Sequence, residues 1–304
     1  MSGDEARTAR ANLSWVFGPG RREVIQLIAE HGPAAAFDRL TAGEPDADLL
    51  RPEVRDRPGT FRDRLAVSTD AVADAQTRCR VVIPEDPDWP AGLTDVDAAG
   101  GYTPVCLWAL GPAPLPQPAT AVTITGTHTA TAYGLWTAEE LALGITVAGR
   151  TVVTTGAPGI DSTALRAAAT CGNPVALLPC GLQQLYPAAS ISLYDRIAET
   201  GLLLTAWPPD ARPTNRRWQA NRRLLATVSA GTVVVESPAR GAALATLRRA
   251  MRYGRLGMVV PGPVTSAMSE GCHRVLRADP QVRVVTSAAD VLEDLTSAVL
   301  IGGV

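Results

Sequence analysis

The chain has 304 residues, room for two domains at about 100–200 residues each. Hydrophobic residues make up 46% and charged residues 19%, which supports a packed core and excludes bulk disorder. Lys+Arg 28 against Asp+Glu 30 gives a formal net charge of −2, so any nucleic-acid role requires a local basic patch rather than bulk charge.

The N-terminus, Met1 to Asn12, is polar and has no apolar signal-peptide core. Ala9, Leu13, Val16 and Phe17 fall at helical spacing, and Gly18-Pro19-Gly20 then breaks the pattern. A second helix is expected from Glu23 to about His31, and a third over Ala34 to Leu40. Residues 1–45 are therefore read as a small helical domain. Its Gly18-Pro19-Gly20 segment is either a plain interhelical turn or a hairpin turn offering backbone N–H groups to a phosphate. Residues 46–115 read as a mixed extension: a helix over Ala66 to Thr77, short strands at 80–83 and 104–110, and a rigid Asp86-Pro-Asp-Trp-Pro90 turn. Residues 111–120 carry four prolines in ten positions, the composition of a stiff linker or boundary.

From 116 to 304 the pattern changes to alternating strands and helices. Strands are predicted at 121–125, 151–155, 174–178, 201–206, 231–236, 257–261 and 282–285. Helices between them include Tyr133 to Val147, Ile160 to Cys171, Arg217 to Val228 and Gly241 to Tyr253. Short apolar strands alternating with amphipathic helices predict an α/β fold, a mostly parallel sheet with helices on both faces. Ligands of such sheets bind beyond the carboxyl ends of the strands. No run of about 18 apolar residues suggests a membrane span.

The sequence contains no lysine. That removes P-loop chemistry and lysine Schiff bases. The cysteines, Cys79, Cys106, Cys171, Cys180 and Cys272, show no C-x-x-C spacing and read as buried small hydrophobes in a reducing cytosol. His31, His128 and His273 are too scattered for a metal site. No cofactor is expected.

Three strand ends are rich in glycine and small hydroxyls. Gly126-Thr127-His128-Thr129-Ala130-Thr131 offers an anion seat at a helix N-terminus. Gly156-Ala157-Pro158-Gly159-Ile160-Asp161 repeats the strand–turn–helix arrangement, and Pro261-Gly262-Pro263-Val264-Thr265-Ser266 is a third. None fits G-x-G-x-x-G, and no acid ends the second strand, so a dinucleotide is disfavoured. Residues 211–255 hold ten arginines and one acid, Glu236, a local charge of +9 with Trp218 inside it. Guanidinium forks grip phosphates and stack on bases, and an aromatic ring adds a stacking surface. No nucleophile elbow or paired-carboxylate motif is present. Asp161 opens a helix, where capping explains it, and Glu236 is the best lone acid.

Together these motifs resemble the DNA-processing protein A (DprA/Smf) family, most closely its actinobacterial members. The resemblance rests on Asp88-Trp89-Pro90-Ala91-Gly92-Leu93, Gly126-Thr127-His128, Gly159-Ile160-Asp161 with Arg166, Cys180-Gly181-Leu182 and Tyr186-Pro187. It rests also on Trp207-Pro208-Pro209, Val233-Val234-Val235-Glu236, Gly254-Arg255 and the run Pro261 to His273. It implies an extended Rossmann-like sheet domain preceded by a SAM-like helical domain. It further implies a cytoplasmic, non-enzymatic homodimer that binds and protects single-stranded DNA and loads RecA onto it in natural transformation or recombination. The expected nucleic-acid contacts are Gly126, Thr127, His128, Thr131, Gly156, Gly159, Arg166, Arg217, Trp218, Arg222 and Arg223. The chain departs from the family pattern at His128, where arginine is usual, and at Pro158, where arginine or, in actinobacteria, tyrosine is usual. It departs also at Leu165, in place of histidine, at Asn221-Arg222-Arg223, in place of Arg-Asn-Arg, and at Gly241-Ala242-Ala243-Leu244. Each lost arginine–phosphate contact weakens binding. Two other readings remain. One is a diverged nucleotide-binding paralog. The other is a nucleoside-monophosphate phosphoribohydrolase-like enzyme, although Pro261-Gly262 is followed by no acid until Glu270.

Overall fold

A computed structural model describes residues 3–42, 61–94 and 103–302. The N-terminal helices are α1 (Gly3–Phe17), α2 (Arg22–His31) and α3 (Pro33–Ala42). Leu13, Val24, Leu27, Ile28, Ala36 and Leu40 close a small core among them. At the turn after α1, Gly18 has φ +82° and donates its N–H to the Ser14 carbonyl at 2.8 Å. Pro19 has no N–H, and its carbonyl accepts from Val105 N at 2.7 Å. The Gly18 N–H and the Pro19 carbonyl of this interhelical turn are thus committed to the fold.

Helix α4 (Phe61–Gln76) leads to β1 (Arg80–Val82), and β2 (Leu107–Leu110) follows. The inner face of α1, with Ala6, Ala11 and Trp15, packs on Val72 and Ala75 of α4 and on Val81, Cys106 and Trp108. The helical unit thus continues into the sheet edge through a shared core. The expected boundary at 45/46 lies outside the described residues. Residues 111–120 are not a free linker. Ala113 and Leu115 alternate with the prolines and bury into the main core, and Gln117 clamps Ala91 N at 3.1 Å and the Asp88 carbonyl at 3.0 Å.

The remaining strands are β3 (Ala121–Thr125), β4 (Thr151–Thr154), β5 (Val175–Leu177), β6 (Leu202–Thr205), β7 (Gly231–Val234), β8 (Leu256–Val259) and β9 (Arg283–Val284). All seven predicted strands are present, each within a residue or two of its expected start. They alternate with α5 (Ala132–Val147), α6 (Ile160–Ala168), α7 (Ile191–Thr200), α8 (Asn215–Leu225), α9 (Ala242–Arg252), α10 (Glu270–Ala278) and α11 (Ala288–Gly302). Helix α8 starts two residues before its expected position because the Thr214 hydroxyl caps it, accepting from Arg217 N at 3.3 Å.

The strand order is β1-β2-β6-β5-β4-β3-β7-β8-β9. Strands β3 to β9 pair in parallel, while β2 joins β1 and β6 antiparallel. The fold is a mostly parallel Rossmann-like sheet. One face is covered by α5, α6 and α11 around Ile124, Leu141, Ala164 and Leu295, and by α7 around Leu178 and Ile197. The other is covered by α8 through Leu224 and Leu225 and by α9 and α10 through Leu247 and Val275. Each such fully buried aliphatic side chain stabilises the fold by about 1.5–3 kcal/mol. Four of the five cysteines are buried, but Cys171 is exposed, because it lies in the turn beyond α6 rather than on its packed face. Among the described residues, no helix is long and apolar enough to cross a membrane.

Candidate nucleic-acid interface

The chain leaves β3, builds β4, β5 and β6 to one side, then crosses back to lay β7 on the other side of β3. The carboxyl ends of β3 and β7 therefore flank a switch-point crevice, the usual ligand position in such sheets. The loops at 126–131, 155–159, 235–241 and 260–269 converge there.

Two buried carboxylates knit these loops. Asp161, 4% exposed, accepts from Thr125 Oγ1 at 2.9 Å, Gly126 N at 3.2 Å and Thr155 Oγ1 at 2.5 Å. It ties the end of β3 to the end of β4. Glu236, 0% exposed, accepts from Thr131 N at 2.9 Å and Thr131 Oγ1 at 2.6 Å, and its carbonyl accepts from Thr127 N at 2.8 Å. Thr131 is the N-cap of α5, and its Oγ1 accepts from Gly134 N at 3.2 Å.

The expected anion seat at this helix N-terminus is thus already filled, by the chain's own Glu236 carboxylate. A Cβ at Gly134 would lie 2.2 Å from Glu236 Oε2. Thr131 is committed to that carboxylate, so the sequence-predicted phosphate contact at Thr131 is replaced by an internal one. Thr127, Thr129 and His128 stand at the rim, with His128 and Thr129 exposed.

The glycines serve close approach between loops. Gly159 has φ +82°, and a Cβ there would meet the Thr127 carbonyl at 2.4 Å; Ile160 N donates to that same carbonyl at 3.3 Å. Gly156 packs on Tyr194, whose hydroxyl donates to the Tyr186 carbonyl at 3.0 Å. Burial pushes the Tyr194 phenol well above its ordinary value. Tyr133 Oη spans the crevice to the Pro261 carbonyl at 2.8 Å. Sequence reasoning missed both tyrosine braces, since each acts through a backbone partner distant in sequence.

The arginines divide into three groups. Arg217 is 8% exposed, with its guanidinium carbon 4.9 Å from the Trp207 ring centroid, and it donates to the Arg212 carbonyl. It is enclosed near Arg64, whose own pKa burial, with the Arg217 charge, lowers to about 10. Arg217 therefore serves the junction between α8 and the helical unit. Arg166 is exposed on α6, across the sheet from α8. Arg222 and Arg223 occupy the last turn of α8. In that turn Asn221 Nδ2 donates to the Leu177 carbonyl at 2.7 Å, which places it beneath the carboxyl end of β5. Arg222 is half-buried and Arg223 exposed. Burial lowers the Arg222 pKa, and the nearby Asp161 carboxylate partly restores it. Trp218 is half-buried one turn earlier. The structure thus brings Gly126, Thr127, His128, Gly156 and Gly159 to one region, and the charge of Asp161 links Arg222 to it; Arg223 and Trp218 lie on the same helix as Arg222. It does not bring Arg166 there. A neighbouring cleft of about 580 Å³ past β5 and β6 is lined in part by Tyr186, Ile191 and Arg212, and Tyr186 is 46% exposed.

No group of three or more His, Cys, Asp or Glu side chains suited to a metal occurs among the described residues. Glu270, the acid nearest in sequence to Pro261-Gly262, pairs with Arg274 at 2.5 Å.

The model for DNA recombination-mediator protein A matches residues 80–296. The chain belongs to this family. It is 37% identical over 299 residues to the putative DNA processing protein DprA of Mycobacterium tuberculosis, covering 95% of this chain and 75% of that one. It is 34% identical over 139 residues to DprA of Streptococcus pneumoniae, covering 45% and 49% of the two chains. The crystal structure of S. pneumoniae DprA superimposes with a TM-score of 0.74 at 25% identity, covering 96% of this chain and 98% of that one. DprA from Helicobacter pylori, a protein with a described single-stranded DNA binding mode, shares the fold at a TM-score of 0.62 and 22% identity, covering 72% of this chain and 96% of that one.

Proposed function

We propose that this DNA recombination mediator binds single-stranded DNA at the β3–β4–β7 strand-end loops and the adjoining turn of α8. It protects incoming or recombining strands and loads RecA onto them, acting as a cytoplasmic homodimer without catalysis. The observation that carries this reading is Arg222 with Arg223. In a chain of formal net charge −2, they set two guanidiniums in the last turn of α8, the first of them acted on by the charge of the loop-bracing Asp161. The single-stranded DNA binding described for the H. pylori relative supports the same ligand class. Guanidiniums and the remaining loop N–H groups contact phosphates, and Trp218 or His128 stacks on a base, worth about 1–3 kcal/mol per base. Glu236 counts against the mononucleotide reading, because it fills the helix N-terminus that a terminal phosphate would take.

The test is titration of a labelled single-stranded oligonucleotide at several salt concentrations. Log K should fall with log salt by roughly 0.7 per neutralised phosphate. The Arg222→Ala/Arg223→Ala double variant should flatten that slope by roughly 1.4 and weaken binding at low salt. An unchanged slope and affinity in the double variant would reject this placement of the site. Release of free base from nucleoside monophosphates would favour the phosphoribohydrolase reading instead.

A further inference from the structure

We infer that a bound single strand continues from the strand-end loops across the α8–α9 face, where Arg222, Arg223, Arg249 and Arg252 form one track for its phosphates. This rests on the single-strand-binding reading above and adds to it a second surface and a direction of travel.

Helices α8 and α9 pack side by side on the same sheet face. Arg222 and Arg223 close α8, and Arg249 and Arg252 close α9. Arg223 and Arg252 are exposed, and Arg222 and Arg249 are half-buried. Among the described residues, the ion pairs lie elsewhere and none involves these four. Burial lowers the Arg249 pKa, and the charges of Arg223, Arg252 and Arg222 lower it further, against an opposing effect of Tyr253. Arg249 therefore stands within the repulsive field of the other three guanidiniums. The one acid of residues 211–255, Glu236, is buried in the crevice and held by Thr131.

The helix dipole accounts for a cation in each last turn. It does not account for two helices setting those cations against each other with none of them ion-paired among the described residues. A phosphodiester chain relieves that repulsion, and a guanidinium fork matches its oxygens. The charge of Asp161, which braces the loops, also acts on Arg222, and this links the track to the loop site. Helix α9 starts at the crevice, and a rise of 1.5 Å per residue puts Arg249 about 10 Å and Arg252 about 15 Å beyond that start. A very short strand seated on the loops does not reach them, whereas a longer one does. Arg166, on the opposite face, lies off this path.

The test compares Arg249→Gln/Arg252→Gln with the wild-type full chain on single strands of roughly 4 and roughly 16 nucleotides, each over a salt series. The short strand should bind both proteins alike. The long strand should bind the variant at least about tenfold more weakly, with its salt slope flattened by roughly 1.4. Equal loss on both lengths, or no loss on either, overturns the track. So does an equally large loss on duplex DNA of the longer length, which would mark a general polyanion surface. The Arg222→Ala/Arg223→Ala variant separates the two readings, since it should weaken both lengths. If it does so while Arg249→Gln/Arg252→Gln changes nothing, the track alone fails. If the wild-type chain binds neither length, both readings fail.

Discussion

Removing the Asp161 carboxyl tests whether the strand-end loops are held by internal hydrogen bonds. In Asp161→Ala, Thr125 Oγ1, Gly126 N and Thr155 Oγ1 each lose their acceptor. Thr125 and Thr155 are 5% and 4% exposed, so water reaches them poorly. A buried polar group without a partner costs about 1–3 kcal/mol, and three of them together give a loss of about 3 kcal/mol or more. At about 2–4 °C per kcal/mol for a chain approaching this size, Tm should fall by roughly 6–12 °C. Asp161→Asn behaves differently. It keeps one oxygen for Thr125 and Gly126, and the Thr155 hydroxyl turns to accept from the new amide, so the loss is about 1 kcal/mol. The Asn variant also removes the negative charge that acts on Arg222, so single-strand affinity should hold or rise. Thermal and urea denaturation with oligonucleotide titration read both effects. Losses under about 0.5 kcal/mol for both variants, the range of ordinary surface changes, would refute the bracing role. Loss of single-strand binding in a stably folded Asp161→Asn would refute the electrostatic argument.

Glu236→Ala should empty the α5 N-terminus, destabilise the protein by about 2–4 kcal/mol, and make Tm rise with added sulfate or phosphate as an external anion takes the vacated donors; a Tm insensitive to anions would contradict this. At the β1 edge, burial alone would raise the Asp86 carboxyl, but hydrogen bonds from Arg7 and Ile83 N and the charges of Arg7 and Arg80 outweigh it and hold it below its ordinary 3.8. A depressed pKa means stability present above 3.8 and lost as pH falls through the folded-state value. The stability gap between wild type and Asp86→Asn should accordingly be constant near neutrality and shrink below that pH. A gap independent of pH down to acid unfolding would count against the Arg7 pairing. Burial pushes the thiols of Cys79 and Cys180 up to about 11 and those of Cys106 and Cys272 up to about 12, while Cys171 is exposed. Native-state alkylation read by mass spectrometry should therefore modify Cys171 first and the other four only on unfolding.

The sheet was legible because its strands are short apolar runs bounded by glycine and threonine, and its helices carry the longer period between them. The linker reading of 111–120 missed that Ala113 and Leu115, spaced two apart, present one apolar edge to the core. Composition saw the prolines and not the alternation. Within the site, the sequence located the loops but not what fills them. A helix N-terminus preceded by threonines reads as open to an anion, and only the fold brings Glu236 from the far side of the switch point into it. Arg217 and Arg222 are equivalent by composition. Their five-residue separation on one helix puts the first against Trp207 inside the molecule and the second at the loops.

The departures from the family pattern take on separate meanings in three dimensions. Leu165 is fully buried among Ala176, Leu178, Tyr194 and Leu203, so a leucine in place of histidine there enlarges an apolar core and removes no open cation. His128 and Pro158 are exposed at the rim of the loops, where arginine would have faced solvent and a passing phosphate. On the proposed track, the α8–α9 face supplies the positive charge missing from that rim. Coulombic attraction depends on distance and dielectric, not on which loop carries the charge. A strand lowered from the rim onto that face keeps its counter-charges, provided it is long enough to reach them. Affinity in this protein should therefore depend on strand length more steeply than in relatives that keep both rim arginines. A parallel length series on the M. tuberculosis and S. pneumoniae proteins, analysed for rim arginines, would show the same length dependence in all three if this redistribution had no functional weight.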